Sequence, residues 1–180
     1  MTLSKFIYKL GHNRYEAAFK RFFRRRYWSW IVQNQCAEVG EELSVNFKSS
    51  VSSTTYLGNH VNFNGMIVAG GGIVRIGDYF HSGKQCNIIT HVHNYNKGNA
   101  IPYDNTYYNK DVTIEECVWL GDGVTILGGV TIGEGAIIQA YSTVVSDIPK
   151  GAIAGGHPAK VYRYRDMDHY FKLKKEGKFH

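Results

Sequence analysis

Thr90-His91-Val92-His93 sets two histidines one residue apart, followed by a polar stretch rich in asparagine and tyrosine, Asn94-Tyr95-Asn96-Lys97-Gly98-Asn99. Three roles are open to such a pair. His-x-His can give two ligands to a catalytic zinc, which then needs a third protein ligand; His60 and His81 are candidates for it by residue type alone. A neutral imidazole can also act as a general base, since histidine ordinarily titrates near pH 6.5. A hydroxyl that must attack at neutral pH requires such a base. The third role is none, two polar side chains decorating a loop.

What positions the pair is an internal repeat. Val112-Thr113-Ile114, Val118-Trp119-Leu120, Val124-Thr125-Ile126, Val130-Thr131-Ile132, Ala136-Ile137-Ile138 and Ser142-Thr143-Val144 carry an aliphatic residue at every sixth position. A period of six is neither the helical period nor simple alternation. Triplets of β-branched residues punctuated by Gly, Asp or Asn predict short strands joined by tight turns. Three such strands make one coil of a prism, and stacked coils bury a continuous aliphatic core. Upstream, Val45, Val51, Leu57 and Phe63 keep the period, as do Val74, Phe80, Cys86 and Val92, with Ile76 and Ile88 two residues behind. The phase slips at Gly70-Gly71-Gly72 and breaks between Val92 and Val112. The histidines sit at the second break, and an insertion into a repeat array is where function is commonly carried.

The pattern resembles the hexapeptide-repeat acetyltransferases over about residues 39–165. The strongest part is 111–165, which closes on Asp147-Ile148-Pro149 and Gly156-His157-Pro158-Ala159-Lys160, similar to the family's "DIP…GxPAK" ending. The galactoside, maltose, capsule-sugar and xenobiotic enzymes are the nearest subgroups. The resemblance implies an all-β, left-handed parallel β-helix; the hand comes from the resemblance, against the usual right-handed rule for parallel crossovers. The chain then divides into a basic amphipathic helical segment over 1–38, the β-helix over 39–165 with a loop insertion near 93–111, and a C-terminal helix or tail over 166–180.

The resemblance also implies transfer of acetyl from acetyl-CoA to a sugar hydroxyl, in surface-polysaccharide or glycoconjugate synthesis, by a homotrimer whose sites lie between subunits. Counting from Ile76-Gly77, the family's catalytic histidine falls on His93, with His91 as the alternative. The xenobiotic subgroup carries an aspartate where this chain has Asn96. Position by position, coenzyme A contacts fall on Trp119, Asp122, Ala140, Val145 and Ser146, with Lys160 and Arg163 suited to its phosphates. Asp122 replaces a small hydroxyl residue. Asn62, Asn64, Tyr95 and Tyr103 are the candidates for holding the acceptor. No metal is expected: a γ-class carbonic anhydrase shares the β-helix and a three-histidine zinc site, but its spacing is absent. Acetylation of an antibiotic or amino-sugar nitrogen, and a non-catalytic scaffold, are the competing functions.

Composition narrows the setting. Of 180 residues, 43% are hydrophobic, which excludes a disordered chain. The three cysteines form no CxxC pair and no disulfide framework, so a reducing, cytoplasmic location is expected. No apolar run is long enough for a leader or a membrane span. The net charge of +6 is concentrated: residues 1–30 hold eight basic residues against Glu16, a net +7. A basic helix carrying Phe19, Phe22, Phe23, Trp28 and Trp30 is expected either to pack on its own domain or a neighbouring subunit, or to touch the inner membrane face peripherally. Gly11-His12-Asn13 is a candidate break in it. No nucleic-acid-binding motif is present.

Overall fold

The computed structural model describes residues 3–180, with side chains described from residue 16 onward. The six-residue column of the sequence forms the core. Ile114, Leu120, Ile126, Ile132, Ile138 and Val144 are all within 1% of full burial, and so are Val112, Val118, Val124, Ala136 and Ser142 two residues before them. In a strand, residues i and i+2 share a face, so each triplet sends two side chains inward and one outward. Each large aliphatic side chain buried in this way contributes roughly 1.5–3 kcal/mol, repeated at every corner-to-corner segment.

Successive coils stack in strict register. Ile114 pairs with Ile132, Leu120 with Ile138 and Ile126 with Val144, each pair 18 residues apart. The result is a β-solenoid of about six turns built from three parallel sheets. The first face holds 38–39, 55–57, 74–76, 112–114 and 131–132. The second holds 44–45, 62–63, 81–82, 119–120, 137–138 and 152–156. The third holds 66–69, 86–89, 125–127 and 143–144. A return strand, Ala159–Tyr164, pairs antiparallel with Ala152–Gly156 and closes the lower edge of the second face.

One insertion interrupts this order. Ile76 pairs with Ile114 and Ile88 with Ile126, partners 38 residues apart, so the extra segment adds twenty residues to one coil. It is an antiparallel hairpin of His91–His93 and Tyr107–Asn109, with His93 opposite Tyr107 and His91 opposite Asn109. This corrects the period at Val92, which is 40% exposed rather than buried, because the chain leaves the solenoid after Thr90.

The N-terminal helix, Leu3–Gln35, is continuous, so Gly11-His12-Asn13 does not break it. Its last turns cap the first coil. Val32 is fully buried, the Ser29 hydroxyl accepts from the Val45 amide at 3.0 Å, and Gln35 Oε1 accepts from the Val51 amide at 3.1 Å. The C-terminal helix, Met167–Lys175, starts on an Asp166 side chain that accepts from the His169 amide. It is tied down at Glu134. That carboxylate receives hydrogen bonds from Lys150, from Lys174 at 2.6 Å and from the Tyr170 hydroxyl at 3.1 Å, while Lys174 also reaches Glu116 at 2.7 Å. Burial alone would raise the Glu134 pKa, but these donors outweigh it and hold the carboxyl below its ordinary value.

A carboxylate with a depressed folded-state pKa stabilises the fold above its unfolded pKa and loses that contribution as pH falls through the folded value. Amide exchange across 167–175 is therefore expected to accelerate below the ordinary glutamate range while the solenoid amides stay protected. Lys174→Ala is expected to cost about 1–2 kcal/mol in thermal unfolding at neutral pH.

Candidate active site

The hairpin emerges at the corner between the third and first faces, and its neck is held by close backbone packing on both sides. Thr90, fully buried, donates its hydroxyl to Ala69 O at 3.0 Å and accepts from the Gly72 amide at 3.1 Å. Gly70 adopts φ +106, and a Cβ built on it would lie 2.5 Å from His91 Nδ1 and 2.4 Å from Thr90 Oγ1. On the next coil a Cβ at Gly128 would lie 2.8 Å from Lys110 Cβ and 3.3 Å from Thr90 Cα. The phase slip at Gly70-Gly71-Gly72 is thus the socket for the hairpin neck.

His91 and His93 are two residues apart on one strand and share a face. Both are half-buried. Nδ1 of each is buried without a hydrogen-bond partner, which leaves Nε2 as the accessible ring nitrogen. The His93 ring stacks on Tyr103 at 3.7 Å and tilts against Tyr107 at 4.4 Å. Tyr107 also meets His91 edge-on at 5.3 Å. One tyrosine therefore packs against both imidazoles. Sequence reasoning missed it, although its place opposite His93 follows once the insertion is read as a hairpin.

The tip is tied by its own polar groups. Asn94 Oδ1 accepts from the Tyr108 hydroxyl at 2.7 Å and the Lys97 amide at 3.0 Å, and Asn94 Nδ2 reaches Thr106 Oγ1 at 3.0 Å. Asp104 accepts from the Thr106 hydroxyl at 2.6 Å and from the Thr106 and Asn99 amides, and these bonds hold its carboxyl below the usual range. Tyr95 stands out from the tip, 64% exposed.

The remaining candidates fall into two groups. Val145 and Ser146 are exposed at the hairpin's own corner. Leu127 pairs with Ile89 above it, and Ile126 with Val144, so Ile89, Leu127 and Val145 form a partly exposed aliphatic column running down from the histidines. At about 4.8 Å per coil, the column reaches roughly 10 Å below the hairpin. Leu127 was missed as well; its signal was an aliphatic residue directly after the in-phase Ile126.

The second group lies elsewhere on the surface. Trp119 projects from the second face beside His81 and lines a hollow of about 460 Å³ under the C-terminal helix. Asn62 and Asn64 belong to an amide ladder: Asn46 Nδ2 donates to both, and Asn64 Nδ2 donates to Ser82 O at 2.8 Å. Asp122 Oδ1 accepts from the Lys84 amide at 2.7 Å, and Ala140 packs over Gly121. Lys160 and Arg163 sit on the return strand opposite Gly155 and Ile153. Within one chain, then, the histidine hairpin does not meet Asn62, Asn64 or Trp119. His60 and His81 do not approach it either: His60 stacks on Tyr79 at 4.6 Å, and His81 faces His180.

Residues 111–146 match the family model for bacterial transferase hexapeptide repeats (six repeats). Galactoside O-acetyltransferase of Escherichia coli K12 is 32% identical over 149 residues, spanning 79% of this chain and 72% of that protein. The chain belongs to the hexapeptide-repeat acetyltransferase family. Other members extend the match. A hexapeptide-repeat acetyltransferase of Vibrio cholerae, crystallised with acetyl coenzyme A, superposes with a TM-score of 0.64 at 28% identity over 73% of each chain. A Saccharomyces cerevisiae relative is 34% identical over 123 residues, which span 65% of this chain and 59% of the relative's length.

Because Gly70 occupies a backbone region that costs other residues about 1–3 kcal/mol, Gly70→Ala is expected to lower the unfolding free energy by that order. It should also displace His91 at the neck. The check is paired: thermal unfolding, and the histidine ring resonances by NMR, which should shift for His91 more than for His157.

Proposed function

We propose that this protein transfers an acetyl group from acetyl-CoA to a sugar hydroxyl, with His93 as general base. The observation that carries the reading is the hairpin that presents two same-face imidazoles at the top of an exposed aliphatic column, on a chain related to galactoside O-acetyltransferase. The base removes the acceptor proton as the hydroxyl oxygen attacks the thioester carbonyl. Collapse of the tetrahedral adduct then releases coenzyme A as the thiol. A narrow pantetheine arm fits the column of Ile89, Leu127 and Val145, which would bring the thioester up to the hairpin; Lys160 and Arg163, which lie away from this column on their own chain, would supply cations for the phosphates from a neighbouring subunit.

His93 is favoured over His91 by its setting. His91 is wedged against Gly70 at the neck, whereas His93 lies one pleat further out, flanked by Tyr103 and Tyr107. His91 then acts as a positioning residue. The acceptor wall needs groups on both sides of the bound sugar, and one chain offers the hairpin alone, with Tyr103 and Tyr95. A homotrimer that sets the second face of one subunit against the hairpin of the next would bring Asn62 and Trp119 to the site. A role in surface-polysaccharide or glycoconjugate synthesis is the setting this chemistry suits.

His93→Ala is expected to lower kcat by about 10²-fold or more, the contribution of a general base, with unfolding temperature and oligomeric state unchanged. His91→Ala should fall less in kcat. The assay is release of free thiol from acetyl-CoA across a panel of galactosides, maltose and amino sugars. Wild-type kcat in His93→Ala moves the base to His91, and acetylation confined to the amino sugars replaces oxygen transfer with nitrogen transfer.

A further inference from the structure

The N-terminal helix turns its aromatic face away from its own domain. Counting from Phe19, the residues three, four, eight and eleven positions on are Phe22, Phe23, Tyr27 and Trp30. At 100° per residue these five form one stripe, and all five are more than half exposed. The groups that dock the helix lie on the opposite side. Trp28 packs against the core, Val32 is buried, and Gln35 bonds to the first coil. Arg24 also faces the domain, its guanidinium 4.4 Å from the Phe47 ring centroid. The end of the helix thus packs on its own domain through Trp28 and Val32, while the other aromatic residues face outward.

Basic residues accompany the stripe. Arg26 lies within it, its guanidinium over the Phe22 ring at 5.6 Å, and the exposed Lys20 falls at its Tyr27 edge, while Arg21 and Arg25 are exposed on the far side of the helix. With Arg24, residues 16–30 carry five cations against Glu16. A second copy of this helix laid along the first would press like charges together, so the partner must be negative as well as able to accept aromatic rings. No helix among the described residues is long and apolar enough to cross a membrane. Aromatic rings on one face, with cations at its edge and on the opposite face, are what an interfacial helix needs to lie at the level of lipid headgroups.

We propose that residues 16–30 form a docking surface for an anionic lipid bilayer, with Phe19, Phe22, Phe23, Tyr27 and Trp30 entering the headgroup region, Lys20 and Arg26 pairing with lipid phosphates and carboxylates at the stripe, and the cations of the far side adding longer-range attraction to the charged surface. The helix then holds the catalytic solenoid against the surface, beside acceptors that are themselves lipid-linked or assembled there. The docking does not depend on the assignment of acetyl transfer, and its test reads binding rather than activity.

The test is co-sedimentation of the full-length protein with vesicles of phosphatidylcholine alone and with vesicles containing about 30% phosphatidylserine. The expected result is at least about tenfold tighter association with the anionic vesicles, weakened by salt. Lys20→Glu with Arg26→Glu should abolish it, and so should Phe22→Ser with Phe23→Ser, while circular dichroism and oligomeric state stay as in the wild type. Equal binding to both vesicle types, or none, overturns the proposal. So does an oligomer that dissociates in the serine variant without vesicles, since the aromatic stripe would then be a contact between copies.

Discussion

The structure turns on close packing at one corner, where the backbone of Gly70 lies so near His91 that a single added carbon would stand 2.5 Å from Nδ1. A solenoid of identical coils has no natural place for a side-chain cluster. Its inward positions are filled by aliphatic residues and its outward positions face solvent. To present two imidazoles with fixed ring planes, the chain must leave the coil and return without unstacking its neighbours. Glycines above and below the exit, and the buried Thr90 hydroxyl bonded to both Ala69 and Gly72, make that departure rigid at its root. Tyr103 and Tyr107 then fix His93, and Asn94 and Asp104 close the tip.

The same coils that anchor the hairpin supply the rest of the proposed machinery by simple stacking. Residues one coil apart are separated by about 4.8 Å, so a ligand lying along a corner meets one side chain per coil. Ile89, Leu127 and Val145 are such a series, and it ends at the histidines. The two helices act at different places: one caps an end of the prism, where stacked strands would otherwise be left open, and the other lies along its side across successive coils. One seals the upper core with Val32. The other is clamped by Glu134 through Lys150, Lys174 and Tyr170.

Much of this was legible in the sequence because burial in a solenoid is strictly periodic. The aliphatic positions from Ile114 to Val144 named the core residue by residue, and the break after Val92 marked the insertion. Other features were not legible, for physical reasons. Val92 sits in phase yet is exposed, because periodicity cannot show where a chain leaves its coil. Tyr107 becomes a neighbour of both histidines only through antiparallel pairing, which has no local signal. Asn62, Asn64 and Asp122 are suitable groups by type, and the hydrogen bonds they also make between adjacent coils have no signal in the sequence. The helix was readable as basic and aromatic. That its rings point outward depends on which side Trp28 and Val32 dock.

The central claim is that the hairpin histidine receives the acceptor's proton. The most direct test is the structure of the protein with coenzyme A and a galactoside bound together. The reacting hydroxyl is expected within about 3 Å of His93 Nε2, with the pantetheine arm along Leu127 and Val145 and its thiol facing that hydroxyl. A galactoside bound with its hydroxyls remote from both His93 and His91, while the thiol faces some other group, would contradict it.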